Sequence, residues 1–373
     1  MVKAIKKVLV TGGAGFIGSH VVDELLSNGY SARIMDNLEP PTHAGVLPEW
    51  ISQQAEFIKG DVRNKEDWRK ALSGVDAVIH LAAYMDNLLD FSRYVRTNIE
   101  SIALLFEVIE EGKLPIQKII AASSQSVYGE GKYKCVEHGE LYMPSRPSEQ
   151  LERHDWEQKC PRCGEVLTPV PEKEDDILTP QIPYGISKLT SEHLLKNLGR
   201  RYNIPVVLFR FSIVLGPHQS FKHFYSGALR TFSVCALSGE PMTVNEDGLQ
   251  TRDFVHVKDV ASAHVKVLED SRADYESFNV GGGVASRIID LAKMVAQEAG
   301  VEFKSQVGNR YRYGDARHQH MDSSKLQALG WQPQYSLSDA VRDYVQWIKQ
   351  FPNLKEALQK TNTTLQAQGI IKE

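Results

Sequence analysis

The sequence predicts an α/β protein: a doubly wound parallel sheet carrying a smaller C-terminal α/β lobe. Short β-branched runs alternate with amphipathic helical stretches through the first 215 residues. A glycine-rich turn joins the first run to the first helix, and after Gly216-Pro217 the alternation weakens. The runs cover 7–11, 31–36, 55–59, 77–80, 118–123 and 206–211, with helical patterns such as 21–28, 95–111 and 187–202 between them. This spacing calls for parallel strands joined by right-handed crossover helices on both faces. Downstream, 290–298 and 336–350 read as helices among loops rich in glycine and charge. The expected division is residues 1–215, a second lobe over 216–351, and a polar tail over 352–373. Residues 131–180 stand apart, because they separate a strand end from a helix start where a link of about 2–6 residues is usual.

Composition narrows the function. The 373 residues are 42% hydrophobic and 24% charged, ordinary values for a globular protein with a large core. A formal net charge of −4 argues against a nucleic-acid partner. The most apolar stretch, 206–215, is broken by Arg210 and falls far short of the roughly 20 residues a membrane helix needs, so no membrane partner is expected. Four cysteines, three of them clustered, do not make a secreted disulfide framework. With no apolar leader ahead of the first strand, the expected location is the cytoplasm.

The turn Thr11-Gly12-Gly13-Ala14-Gly15-Phe16-Ile17-Gly18 follows the first strand and opens the first helix. Gly12 permits the tight turn, Gly15 lets a pyrophosphate approach the backbone, and Gly18 lets helix and sheet pack closely. The helix N-terminus then faces the phosphates, as in a Rossmann-type dinucleotide site. Asp36 closes the second strand 18 residues after Gly18. A carboxylate there accepts ribose hydroxyls and repels a 2′-phosphate, which favours NAD over NADP.

Tyr184-Gly185-Ile186-Ser187-Lys188 places a phenol and an ammonium on one helical face. A phenol of ordinary pKa near ~10 is a poor base at neutral pH. A fixed cation stabilises the phenolate and makes it a usable acid/base. The partner motif, Ser123-Ser124-Gln125-Ser126-Val127-Tyr128-Gly129, lies at a strand end, where sites on such sheets occur.

These pieces, with Asp61-Val62, His80-Leu81-Ala82-Ala83, Asn98, Arg210, Gly216-Pro217, Arg252-Asp253-Phe254-Val255-His256-Val257, Asp259, Phe278-Asn279-Val280-Gly281 and Gly314-Asp315, resemble the extended short-chain dehydrogenases/reductases. Within that group they are similar to the nucleotide-sugar epimerase/dehydratase family, from about residue 7 to 350. The resemblance implies Ser124 orienting the sugar, Tyr184 as acid/base and Lys188 at the nicotinamide ribose. It implies Asn37, Asp61 and Val62 near the adenosine, and Leu81, Ala82, Ala83 and Asn98 along the cofactor. It puts Ser126, Ser212, Arg252, Arg312 and Asp315 at the nucleotide sugar, with Ser212 standing where many relatives have asparagine. Guanidinium groups suit diphosphate oxygens. The family's helices equivalent to 95–111 and 187–202 form a dimer contact, so a homodimer is expected.

The implied reaction is NAD-dependent 4-epimerisation through a transient 4-keto sugar. Related 4,6-dehydratases carry Asp-Glu after the serine or threonine; here Gln125 and Ser126 occupy those positions and cannot serve as acid or base. A net reductase is the alternative, disfavoured by Asp36. A non-catalytic NAD-binding or zinc-dependent interaction protein is another, disfavoured because Ser124, Tyr184 and Lys188 are all present. The insertion resembles that of the dTDP-L-rhamnose 4-epimerase-like group, as do Gly216 to Ser220 and Glu246 to Gln250. The stretch 84–90, which in that group is small and contains glycine, departs from the pattern and leaves the hexose open.

Inside the insertion, Cys135, His138, Cys160 and Cys163 form two chelating pairs, with Pro161 and Gly164 shaping a knuckle. Two pairs of this kind suit a closed tetrahedral zinc site of structural type. A segment poor in large apolar side chains needs such a device to order itself. Cys235 reads as a buried small hydrophobe, and His256 as a packed strand residue.

Overall fold

Five strands of the first half, β1 (Lys7–Thr11), β2 (Ser31–Asp36), β3 (Glu56–Lys59), β4 (Ala77–His80) and β5 (Lys118–Ser124), form within one residue of the expected bounds. The computed structural model describes residues 4–356 apart from 41, 44, 87, 88, 223–226 and 309, together with 359 and 363. The expected tail therefore lies mostly outside the described residues, as do Asn87 and Leu88 of the stretch 84–90.

All pairings in the main sheet are parallel, in the order Ser277–Val280, Val206–Phe211, β5, β4, β1, β2, β3. Chain order reverses at β1, which pairs with both β2 and β4. Such a switch point opens a crevice beyond the carboxyl ends of the strands. Alternating side chains of β1 serve opposite faces: Val8 and Val10 join one core, Leu9 the other. The helix α1 (Phe16–Ser27) covers the first core, and Trp68 with helices Ser101–Gly112 and Pro183–Tyr202 covers the second.

The seventh strand, Ser277–Val280, comes from beyond Gly216 and returns to the main sheet beside Val206–Phe211. Its four residues are all buried, so it has no alternation to display and is short enough to look like a linker. The region 95–111 also differs in detail from the expected single helix. It runs as a short helix Ser92–Tyr94, a π-helical segment Val95–Glu100 and then Ser101–Gly112. Segments of π-helix are rare and tend to occur at functional sites.

The remaining C-terminal chain packs helices Gly227–Ser238, Ile288–Ala299 and Leu337–Ile348 around a separate apolar cluster. Strand Thr251–His256 ties that lobe together, pairing with Ile213–Leu215, Ala285–Arg287 and His318–Gln319. His256 ends this strand, buried, and caps the next helix by accepting from the Lys258 N–H at 3.0 Å. The insertion forms a three-stranded antiparallel sheet of Gly139–Tyr142, Lys132–Cys135 and Thr168–Val170. Among the described residues, no helix is long and apolar enough to cross a membrane.

The turn before α1 is so tight that a Cβ on Gly18 would overlap the Gly12 carbonyl and lie 2.7 Å from the Gly13 Cα. Gly18→Ala is expected to destabilise the protein by about 1–3 kcal/mol, read as a lower urea midpoint. An unchanged midpoint would show that helix and turn are not in this close contact.

Candidate functional site

The crevice at the switch point is lined by the glycine turn, the ends of β2, β4 and β5, and the first turns of helix Pro183–Tyr202. Gly12 sits at φ +67°, which glycine adopts without strain, and its N–H donates to the Met35 carbonyl at 2.9 Å. Gly15 caps α1 with extended backbone and no side-chain hydrogen bond, so the first N–H groups of α1 have no side-chain acceptor. A dinucleotide phosphate suits them.

Asp36 lies in the crevice with its carboxylate fixed from two sides, accepting from Leu38 N–H at 2.9 Å and Ala14 N–H at 3.2 Å. Burial would raise the Asp61 carboxyl. Hydrogen bonds from the Arg63 side chain and backbone, and from Asn37, bring it below its ordinary value instead. Val62, Leu81, Ala82, Ala83, Phe16 and Ile17 also line the crevice. Asn98 does a different job. Its amide is engaged by Tyr84 N–H at 2.7 Å, the Tyr84 carbonyl at 2.9 Å and Ser187 Oγ at 2.9 Å, so it pins the loop after β4 to helix Pro183–Tyr202. His80 bridges Thr11 Oγ1 at 2.7 Å and Ser101 Oγ at 3.2 Å, and burial lowers it to about 3, which keeps it neutral.

Tyr184 and Lys188 sit one helical turn apart and both line the crevice. The Lys188 ammonium donates to the Ala122 carbonyl at 2.9 Å and lies 5.9 Å from the Tyr184 ring centroid. Burial lowers it to about 8, partly offset by Glu192. A buried cation favours negative charge beside it. Ser124 ends β5; its hydroxyl donates to Ser126 Oγ and accepts from Ser126 N–H, each at 3.1 Å. A second crevice tyrosine, Tyr84, is unsuited to act as a base. Burial and a hydrogen bond to Asp90 raise its phenol well above the ordinary value.

The residues expected at the nucleotide sugar are spread over the fold: Ser126 follows β5, Ser212 follows strand Val206–Phe211, and Arg252, Arg312 and Asp315 lie in the C-terminal part. Ser212 Oγ and Arg312 Nε are buried with no hydrogen-bond partner among the described residues. Arg252 donates to the carbonyls of Thr251, Ala316 and Arg317 at 2.8, 2.6 and 3.1 Å. Asp315 is exposed, and its backbone carbonyl accepts from Arg146 at 2.9 Å.

Sequence reasoning missed the loop after Gly216-Pro217 as part of the crevice, where Gln219 and Ser220 line the wall. His218 holds that loop: at φ +70° it reaches Ser19 Oγ at 2.9 Å and stacks between His20 and Trp50. The sequence signals were the Gly-Pro turn and the likeness of Gly216 to Ser220 to the rhamnose-epimerase-like group, neither of which pointed to the crevice.

In the insertion, the ligand atoms of Cys135, His138, Cys160 and Cys163 all lie within 4.8 Å of one another. Closest approaches are 3.4 Å from His138 Nδ1 to both Cys135 and Cys160 sulfurs, and 3.6 Å between Cys135 and Cys163. A tetrahedron with zinc–ligand bonds of about 2.0–2.3 Å has edges of about 3.4–3.8 Å. The knuckle is closed by Gly164 N–H to the Cys160 carbonyl at 2.9 Å and Cys160 N–H to the Glu165 carbonyl at 2.8 Å. Donor set and spacing both fit a tetrahedral metal.

Comparison with known proteins agrees with the fold. A dTDP-L-rhamnose 4-epimerase of Burkholderia thailandensis is 34% identical over 353 residues, covering 92% of this chain and 95% of that protein. The UDP-glucose 4-epimerase of Thermotoga maritima, solved with UDP-glucose, superposes with a TM-score of 0.71 at 29% identity, over 92% of this chain and 99% of that one. The UDP-glucuronic acid 4-epimerase of Bacillus cereus, solved with NAD, gives 0.73 at 29% identity with the same coverage. The NAD dependent epimerase/dehydratase family matches residues 8–150 and 162–281. The chain belongs to the NAD-dependent epimerase/dehydratase family.

Proposed function

We propose that the chain is an NAD-dependent 4-epimerase of nucleotide-diphosphate sugars. The observation that carries this reading is the Tyr184–Lys188 pair, set in the same crevice as the uncapped glycine turn. When bound, NAD takes up and returns the hydride at sugar C4 and is unchanged overall. Tyr184 accepts the C4 hydroxyl proton and gives it back to the inverted product, while Lys188 holds the phenolate. Ser124, steadied by Ser126, orients the sugar hydroxyl. Arg252 and Arg312 meet the diphosphate, and Arg312 brings a donor with no partner of its own. Gln125 and Ser126 offer no group to expel water, so the keto sugar is returned rather than dehydrated.

The cysteine–histidine cluster holds structural zinc, which with four protein ligands leaves no position open for catalysis. None of the four cysteines is in a disulfide, which suits a reducing compartment, and we place the enzyme in the cytoplasm. A homodimer forms through helices Ser101–Gly112 and Pro183–Tyr202, beside which Val95 and Ile186 expose apolar side chains.

NMR of the protein with dTDP-, UDP- and GDP-hexoses is expected to show interconversion of 4-epimers with no net consumption of NAD. Accumulation of a 4-keto-6-deoxy sugar would replace this reading with dehydration. Tyr184→Phe is expected to lower kcat by about 10²–10⁴-fold while bound NAD stays at the wild-type level. Undiminished turnover in that variant would remove the phenol from the mechanism. Protein purified without chelator is expected to carry about one zinc per chain by elemental analysis. Metal-free protein with an ordered insertion would exclude the zinc site.

A further inference from the structure

We propose that the insertion positions the sugar nucleotide by bracing the loop 311–320, with Glu157 and Arg146 as positioning residues and Arg317 at the centre of the brace. This rests on the reading of Arg252 and Arg312 as groups that meet the substrate's diphosphate.

The brace is a buried web of ions that spans two parts of the fold. Arg317 is fully buried. Its guanidinium donates to Glu157 of the insertion at 2.5 and 2.9 Å, and to Glu246 and Asp247 of the C-terminal lobe at 2.7–2.9 Å. Arg146, also of the insertion, forks onto Glu246 at 2.8 and 3.1 Å and donates to the Asp315 carbonyl at 2.9 Å.

Three further contacts from the insertion grip the same loop. Glu157 lies 3.2 Å from His318 Nε2, Tyr133 Oη accepts from His318 N–H at 3.3 Å, and Glu172 accepts from His320 N–H at 3.1 Å. On the loop's other side, Arg252 grips the carbonyls of Ala316 and Arg317. Four residues upstream of Ala316 stands Arg312, with its buried, unpartnered Nε.

Buried ion webs contribute little net stability, because desolvation offsets the attraction. They do select one geometry, since every alternative leaves a charge unpaired. Here the geometry selected is that of the backbone carrying Arg312 and touching Arg252. The metal-type cluster sets the anchors: Tyr133 lies two residues before Cys135, and Glu157 three before Cys160. The insertion's own core holds five buried residues, two of them cluster cysteines, so apolar packing alone gives these anchors little rigidity.

The test uses the metal- and cofactor-loaded enzyme and its Glu157→Gln variant. Glu157 is half-buried, as is Asp247, and its replacement leaves Arg317 paired to Glu246 and Asp247. Calorimetry with UDP and dTDP, together with kinetics on the sugar nucleotide, is expected to show Kd and KM raised about tenfold. The expected kcat and NAD content stay within about twofold. Hydrogen exchange is expected to quicken by about tenfold across 311–320 and not in β1.

Arg317→Lys keeps the charge and loses the fork, and is expected to act in the same direction. Should that variant fail to fold, Glu157→Gln decides. Unchanged nucleotide affinity and exchange in Glu157→Gln would overturn the brace while leaving the epimerase intact. A parallel fall in kcat, NAD content and nucleotide affinity would also overturn it, as general destabilisation. A wild-type enzyme that binds no nucleoside diphosphate would instead overturn the substrate reading on which the brace rests.

Discussion

A buried ammonium governs the crevice. Lys188 has the Ala122 carbonyl as its hydrogen-bond acceptor, and burial has already brought its pKa down to about 8. Such a group favours nearby negative charge. Glu192, one turn further along the helix, supplies part of it, but that carboxylate is claimed by Arg210 at 2.8 and 2.9 Å and by Ser123 at 2.5 Å. Tyr184 stands one helical turn before Lys188, its ring centroid 5.9 Å from the ammonium. Tyr84 lies in the same crevice, where burial and a hydrogen bond to Asp90 raise its phenol above the ordinary value.

The main-sheet architecture was legible because its signals are local. Strands such as β1 and β4 are short runs buried on both faces, and the glycine turn sits where strand and helix require it. Tyr184 and Lys188 could be paired from sequence because four residues make one helical turn. What stayed hidden depended on distant contacts. Strand Ser277–Val280 is recruited by Val206–Phe211, and Asn98 turns inward because Tyr84 and Ser187 consume its amide. Arg317 fell outside the residues singled out from sequence, since an arginine in a polar loop reads as solvated until the fold surrounds it with three carboxylates.

The insertion shows how a segment too small for its own core can still be rigid. Its strands bury little apolar surface, so order comes from ligand atoms drawn within 4.8 Å and from charges paired across to the C-terminal lobe. Metal coordination and buried ion pairs share one property: both reject intermediate geometries. A segment held this way suits the task of fixing a neighbouring loop.

The polar atoms left without partners complete the picture. Ser212 Oγ, Gln219 Oε1 and Arg312 Nε are buried and unpaired among the described residues. Each such group costs about 1–3 kcal/mol relative to a satisfied one. They come from three separate segments: the end of a sheet strand, the loop pinned by His218, and the loop held by Arg317. Hydroxyls, ribose and phosphate are the chemistry that would complete a hydroxyl, an amide oxygen and a guanidinium N–H.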